Sequence, residues 1–283
     1  MGSPLELCVL APPTVRRLQL DFSSVPRDWF MDDPVLTSHA NGLHLVFPEG
    51  ERFFIRSVRA FAHCVTDPAL RARVKGFIGQ EAVHGREHEA SFRMLEVHGL
   101  ELQSWMGWYV RWAYGFLERI APARLCLSIT IALEHLTATL GENALTQNLL
   151  DEAHPTMARL LRWHAAEEIE HKSVAFDVYR AAGGGWLLRV WGMVMALALL
   201  LFFWSSAVRH LRRQDPRITR AAIAATHRRL SGVVNRSEVL GRAFLEYARP
   251  GFHPDQRDNL HLASAWLAGA GLAGIDTDPS VAS

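Results

Sequence analysis

Gln80-Glu81-Ala82-Val83-His84 and His164-Ala165-Ala166-Glu167-Glu168-Ile169-Glu170-His171 are the two stretches on which the reading of this chain turns. Each holds a Glu-x-x-His pair, Glu81 with His84 and Glu168 with His171. A spacing of three puts both side chains on one face of a helix. His164 precedes Glu168 by one turn, and at about 100° per residue His164, Glu168 and His171 fall within a sector of roughly 60°. A single Glu-x-x-His is common and usually marks a solvated helix face. Two copies on separate long helices are far more specific. A Glu-x-x-His from each of two helices, joined by one glutamate from each of two others, is the ligand scheme of carboxylate-bridged dinuclear metal sites in helical bundles.

Two single glutamates are available for that scheme. Glu51 starts the first expected helix, in Pro48-Glu49-Gly50-Glu51-Arg52-Phe53-Phe54. Glu49 lies close by, and helix starts favour acids in any case. Glu134 sits in the apolar run Leu127-Ser128-Ile129-Thr130-Ile131-Ala132-Leu133-Glu134-His135-Leu136, where a charge is costly unless it is paired or bound to metal. His135 points about 100° away from Glu134 and reads as a core or supporting histidine. His84 and His88 also share a face, but His84-Gly85-Arg86-Glu87-His88 is not the H-E-x-x-H of a zinc protease, and Glu87 is misplaced for its base. Glu167 and Glu170 read as surface residues or as supports of the ligands. Mixed carboxylate and imidazole ligands suit two ions of iron, with manganese or zinc as alternatives.

The rest of the chain reads as helices. Prolines at 12, 13, 26, 34 and 48 make residues 1–48 an irregular lead-in. Helices are expected at about 49–65, 68–98, 104–119, 122–150 and 155–182, then at 186–211, 216–230, 236–247 and 255–270. No strand pattern competes with them, so the class is all-α. Residues 49–182 form a four-helix bundle with a long connection between its second and third helices. Residues 183–213 follow as an apolar helix after the triple glycine 183–185, and residues 214–283 as C-terminal helices and a tail.

Bulk properties exclude several classes. The 283 residues carry a formal net charge of +1, so no nucleic-acid partner is expected. Cys8, Cys64 and Cys126 are far apart and form no C-x-x-C pair, which argues against a disulfide framework or a thiolate metal site. Met1 to Pro26 lacks the basic start and continuous apolar run of a secretory signal. A cytoplasmic protein is therefore expected, and the apolar helix adds an alternative. Trp191 to Val208 carries no charge and is followed by Arg209, Arg212 and Arg213. The segment 186–208 has the length of a membrane span and a basic flank suited to the cytoplasmic side. It reads equally well as a buried core helix, or as an apolar lid or anchor that binds the protein to the inner face of the membrane.

The run 48–59, the Glu81-x-x-His84 helix, the Glu134 helix and the His164-x-x-x-Glu168-x-x-His171 helix resemble the bacterial family of predicted metal-dependent hydrolases, over about residues 40 to 250. The ligand order is also similar to the wider ferritin-like di-iron superfamily, including the ribonucleotide reductase small subunit and bacterial multicomponent monooxygenases. His164 matches the third histidine of di-iron arylamine N-oxygenases of the p-aminobenzoate type. Carried over, the resemblance implies a ferritin-like bundle with the metal ligands Glu51, Glu81, His84, Glu134, His164, Glu168 and His171. It also implies an enzyme that activates O2 to oxidise a small or lipid-like molecule, served by an electron-donor protein. The alternatives are hydrolysis by a metal-activated water, in keeping with the family label, and a non-enzymatic metal- or O2-binding bundle. A small-molecule substrate is expected in either enzymatic case, and a homodimer is compatible with both.

Overall fold

The computed structural model describes residues 11–230 and 236–273, so Cys8 and the end of the tail lie outside the described residues. The protein is all-α, and among the described residues the one β-type pairing is an isolated bridge between Phe30 and Ala153. The first helix, α1 (Pro34–Arg59), starts at Pro34 rather than near Glu49, which shortens the expected lead-in. Asp33 caps it, its Oδ1 accepting from Val35 N at 2.8 Å and Leu36 N at 3.1 Å. Proline at the first helical position costs no hydrogen bond. Pro48 lies inside this helix and is buried there. It removes one ladder bond, and packing of both flanking halves holds the helix together across it.

α2 (Pro68–Val97) repeats the same start, with Asp67 as cap and Pro68 first. It ends at Gly99, whose φ of +80° is a left-handed conformation that glycine adopts freely. The crossover consists of α3 (Gln103–Trp112), a π-helical turn (Ala113–Leu117) and the single turn α4 (Glu118–Ile120). α5 (Ala123–Thr146) follows, and then α6 (Pro155–His171). The expected helix 155–182 is broken at Lys172–Ser173, where α6 gives way to α7 (Val174–Ala181). The remaining helices are α8 (Trp186–Arg212), α9 (Arg220–Leu230), α10 (Arg236–Tyr247) and α11 (Leu260–Gly269).

α1 packs against α2 and α5, and α6 packs against α5 and α2, so these four helices surround a common centre. α8 covers α1 and α5 from outside. Two glycines set the closest approaches. A Cβ on Gly192 of α8 would lie 2.7 Å from Ser128 O of α5, and one on Gly141 of α5 would lie 2.8 Å from Ala165 O of α6. The apolar core divides into two clusters, one around Trp29, Leu45 and Trp163 and the other around Phe77, Leu127 and Tyr179. On α2 the first cluster takes Val83 and the second Phe77, with Glu81 between them in sequence.

α5 and α8 are both long and apolar enough to cross a membrane by length and composition alone. They differ in burial: the most apolar stretch of α5 is 67 % buried, that of α8 only 28 %. α5 is a core helix. α8 buries Arg189, Met193, Ala196, Phe203 and Ala207 on one face and exposes Leu187, Trp191, Val194, Leu201 and Phe202.

Candidate metal centre

Six of the seven sequence-predicted ligands, joined by His88, fall into two groups inside the four-helix core. Glu81 and His84 of α2 meet Glu168 and His171 of α6, and the four offer ligand atoms within 4.8 Å of one another. Glu51 of α1, His88 of α2 and His164 of α6 form a second group on the same criterion. Nitrogen and oxygen ligands about 2.0–2.2 Å from an ion stand about 3–4.4 Å from each other, so the spread of each group is close to that of a metal site. Glu168 links them. Its Oε1 lies 2.8 Å from His164 Nε2 and 3.7 Å from both His84 Nδ1 and His171 Nε2. Its Oε2 accepts a short hydrogen bond from the Thr137 hydroxyl. All of these acids and histidines are buried, and Glu81, His84, His88 and His171 are wholly so. Close approach of α2 to α1 depends on Gly85, where a Cβ would lie 3.0 Å from Glu51 Oε2.

The seventh residue, Glu134, is placed differently. It joins neither group. Its Oε2 lies 3.0 Å from His171 Nδ1, so it accepts the proton on that nitrogen and leaves Nε2 free to face Glu81 at 3.1 Å. Glu167 does the same for His84, whose Nε2 donates to Glu167 Oε2 at 3.0 Å and whose Nδ1 faces Glu81 and Glu168. A carboxylate behind each imidazole fixes its tautomer and raises its basicity, the usual support of a ligating histidine. Glu167 is itself held by Trp163 Nε1 at 2.9 Å and Arg16 Nη1 at 3.1 Å. It is fully buried, not a surface residue. Glu170 is the outer partner, bonded to Arg16 and Gln80.

Unpartnered atoms test whether the residues fit a metal. Both oxygens of Glu51, both oxygens of Glu81, Glu134 Oε1, His44 Nε2, His84 Nδ1 and His171 Nε2 are buried without any hydrogen bond. His171 Nε2 and Glu81 Oε1 are 3.1 Å apart yet do not meet as donor and acceptor. Burial of so many unsatisfied carboxylate oxygens is costly unless a cation completes them. The donor set fits one, or a pair.

Electrostatics agree. Burial pushes the Glu51 carboxyl well above its usual range, and the charge of Glu81 adds to this. Burial also raises Glu134, to about 8, against the pull of His171. Burial opposes ionisation of Glu168 too, but His171, His164 and His84 outweigh it and hold that carboxyl at about 2. His84 and His171 stay protonated far above the usual histidine range despite burial, because Glu167 and Glu81 draw on the first and Glu134 and Glu168 on the second.

Sequence spacing pointed only weakly to His88 and gave no sign of His44. His44 Nδ1 lies 2.9 Å from His88 Nδ1, and His88 Nε2 lies 2.6 Å from His164 Nδ1. Three imidazoles therefore run in a line to Glu168. His135, by contrast, is a core histidine, bonded to Ala243 O at 3.1 Å and packed on Tyr247 and Phe252.

Residues 14–258 match the model of a family described as predicted metal-dependent hydrolase. No curated protein and no solved structure matches the chain significantly.

Proposed function

Because the chain belongs to the family of predicted metal-dependent hydrolases, we propose that it hydrolyses a carbonyl substrate with a pair of divalent cations held between α1, α2, α5 and α6. The observation that carries this reading is the set of buried, unpartnered donor atoms on Glu51, Glu81, His84 and His171. Glu81, His84, Glu168 and His171 would hold one ion, and Glu51, His88 and His164 the other. When bound, such ions supply Lewis acidity, which lowers the pKa of a water towards neutrality and polarises a carbonyl.

The chain's own residues do the rest. Glu134 and Glu167 each accept from one nitrogen of His171 and His84, which turns the other nitrogen of each ring inward. Thr137 restrains Glu168. Phe47 packs on both His88 and His164, with ring centroids 4.9 and 5.1 Å away, and Phe77 packs on His171 at 5.0 Å. These rings give the site apolar walls on those sides. A ferritin-like placement of the bundle belongs to the same reading, supported by the pairing of the four helices around the carboxylates.

Oxidation of an apolar substrate by O2 at two iron ions, with an electron-donor protein, is a second reading. The mixed carboxylate and imidazole donor set favours it. One preparation separates the two. The purified chain is loaded in turn with zinc, manganese and ferrous iron, and metal content is measured. Hydrolysis of an ester and amide panel is then followed with and without a chelator, and O2 uptake is followed with the reduced iron form. Chelator-sensitive hydrolysis without O2 uptake is the expected result. O2 consumption coupled to substrate oxidation, with no hydrolysis under any metal, refutes the first reading in favour of the second.

Attachment to a membrane surface through the outer face of α8 is part of the proposal. Leu187, Trp191, Val194, Leu201 and Phe202 recur at helical spacing on that face. The inner face is occupied by α1 and α5, which suits a helix lying along a membrane better than one crossing it.

A further inference from the structure

A cavity of about 390 Å³ reaches the metal-binding side chains, with Glu51, His164 and Glu168 in its wall. Its shape follows α5. Leu125, Ile129, Leu133, Leu136 and Thr137 line it in succession, one stripe of a single helix. From Leu125 to Thr137 the helical rise gives a length of about 18 Å. α8 supplies the facing wall through Met195, Ala196, Leu199 and Phe203, and α1 supplies Leu43, Val46 and Phe54. The end remote from the metal site is marked by Ile120, which lines the cavity and is also 64 % exposed.

Polar groups along this slot are already spoken for. The Tyr109 and Tyr114 hydroxyls are bonded to each other at 2.7 Å, and Tyr109 Oη also donates to Val46 O. Glu118 is held by two bonds from Arg56, at 2.9 and 2.7 Å. A ligand entering from Ile120 therefore meets no unpartnered polar side chain until it reaches Glu51, whose two oxygens are buried without a hydrogen bond beside Glu168, His164 and Thr137. Ligand sites place a few convergent polar groups in an apolar wall. Here they are gathered at one end of a long, narrow space.

We propose that the substrate carries a long unbranched aliphatic chain that lies in this slot along α5, with its reacting carbonyl beside Glu51, His164 and Glu168: a long-chain acyl ester. The assignment of the carbonyl rests on the hydrolytic reading above. The assignment of the chain does not. In the reaction, water adds to the carbonyl carbon, the acyl C–O bond breaks, and the alcohol leaves with one proton while the fatty acid keeps the water oxygen.

Calorimetric titration of the full chain with straight-chain alcohols, from hexanol to dodecanol, tests the slot without any catalysis. Affinity should rise about fourfold with each added methylene. Filling the slot by Ala196→Phe, or independently by Leu133→Trp, removes room for two methylenes or more. Dodecanol should then lose about sixteenfold or more in affinity, while hexanol and the circular dichroism spectrum stay unchanged. Affinity that does not depend on chain length, or dodecanol binding unaltered in both folded variants, overturns the proposal. Chain-length-dependent binding with no ester hydrolysed under any metal leaves the slot standing and removes the hydrolytic chemistry. Hydrolysis of short esters with flat chain-length dependence does the reverse.

Discussion

Glu167→Gln is the most incisive substitution because it changes one atom and reverses one hydrogen bond. Glu167 Oε1 accepts from Trp163 and Arg16, and Oε2 accepts from His84 Nε2. A glutamine that keeps its oxygen towards Trp163 and Arg16 turns an NH2 towards His84 Nε2. His84 must then accept at Nε2 and carry its proton on Nδ1, the atom that faces Glu81 and Glu168. The opposite amide orientation sets an NH2 against two donors. Either way the ligating nitrogen is lost or the support is broken. Losing a carboxylate behind a metal-bound histidine costs about 10–100-fold in metal affinity, or about 1.4–2.7 kcal/mol. The assay is competition for zinc against a chromophoric chelator. Melting of the metal-free proteins is measured in parallel, and Glu170→Gln serves as control, since Glu170 touches Arg16 and Gln80 but no histidine. Unchanged zinc affinity in Glu167→Gln, or an equal loss in Glu170→Gln, would refute the role assigned to Glu167.

Other expectations follow from the same geometry. Glu168→Ala and His171→Ala should each lose bound metal, read by elemental analysis after dialysis; retention of two ions per chain rejects the ligand assignment. Burial holds His135 neutral, at about 4 against an ordinary 6.5, so the unfolded chain binds its proton first on acidification. Stability should therefore fall from about pH 6.5 to about pH 4, by about 3 kcal/mol in total, and urea unfolding of His135→Phe should show that much less acid sensitivity. Gly192→Ala forces a methyl group against Ser128 O and should cost about 1–3 kcal/mol in urea midpoint analysis; an unchanged midpoint argues against the close α5–α8 contact. Trp191→Asp with Phe202→Asp, at positions 53 and 56 % exposed, should abolish flotation with anionic vesicles while leaving the melting temperature intact, and persistent flotation rejects α8 as the attachment face.

Local spacing carried a good part of this. The two Glu-x-x-His pairs and His164 lie on helix faces that a fixed rotation per residue determines, and the order of helices around them was readable from prolines, glycines and acidic caps. Pro48 reads as punctuation, which sets the expected start of the first helix later than Pro34. Asp33-Pro34 is the true cap and first residue, and Pro48 survives mid-helix because packing on both sides outweighs one missing backbone bond. The break at Lys172–Ser173 had no glycine or proline to announce it.

Glu134 shows the limit most clearly. Its position in an apolar run required a partner, and the sequence could say no more than that. How α5 sits against α6, with the close approach at Gly141, puts one oxygen of Glu134 on the far nitrogen of His171 and leaves the other buried without a hydrogen bond. His44, His88 and Glu167 became part of the site for the same reason: neighbours across helices are set by crossing angle and register, which no intrahelical spacing encodes. So the sequence alone determined the all-α class, the donor types and the faces they occupy. Only the tertiary structure decided which donors converge, which ones stand behind an imidazole, and that a long apolar slot between α1, α5 and α8 ends on them, because those properties belong to the packing of helices and not to any one of them.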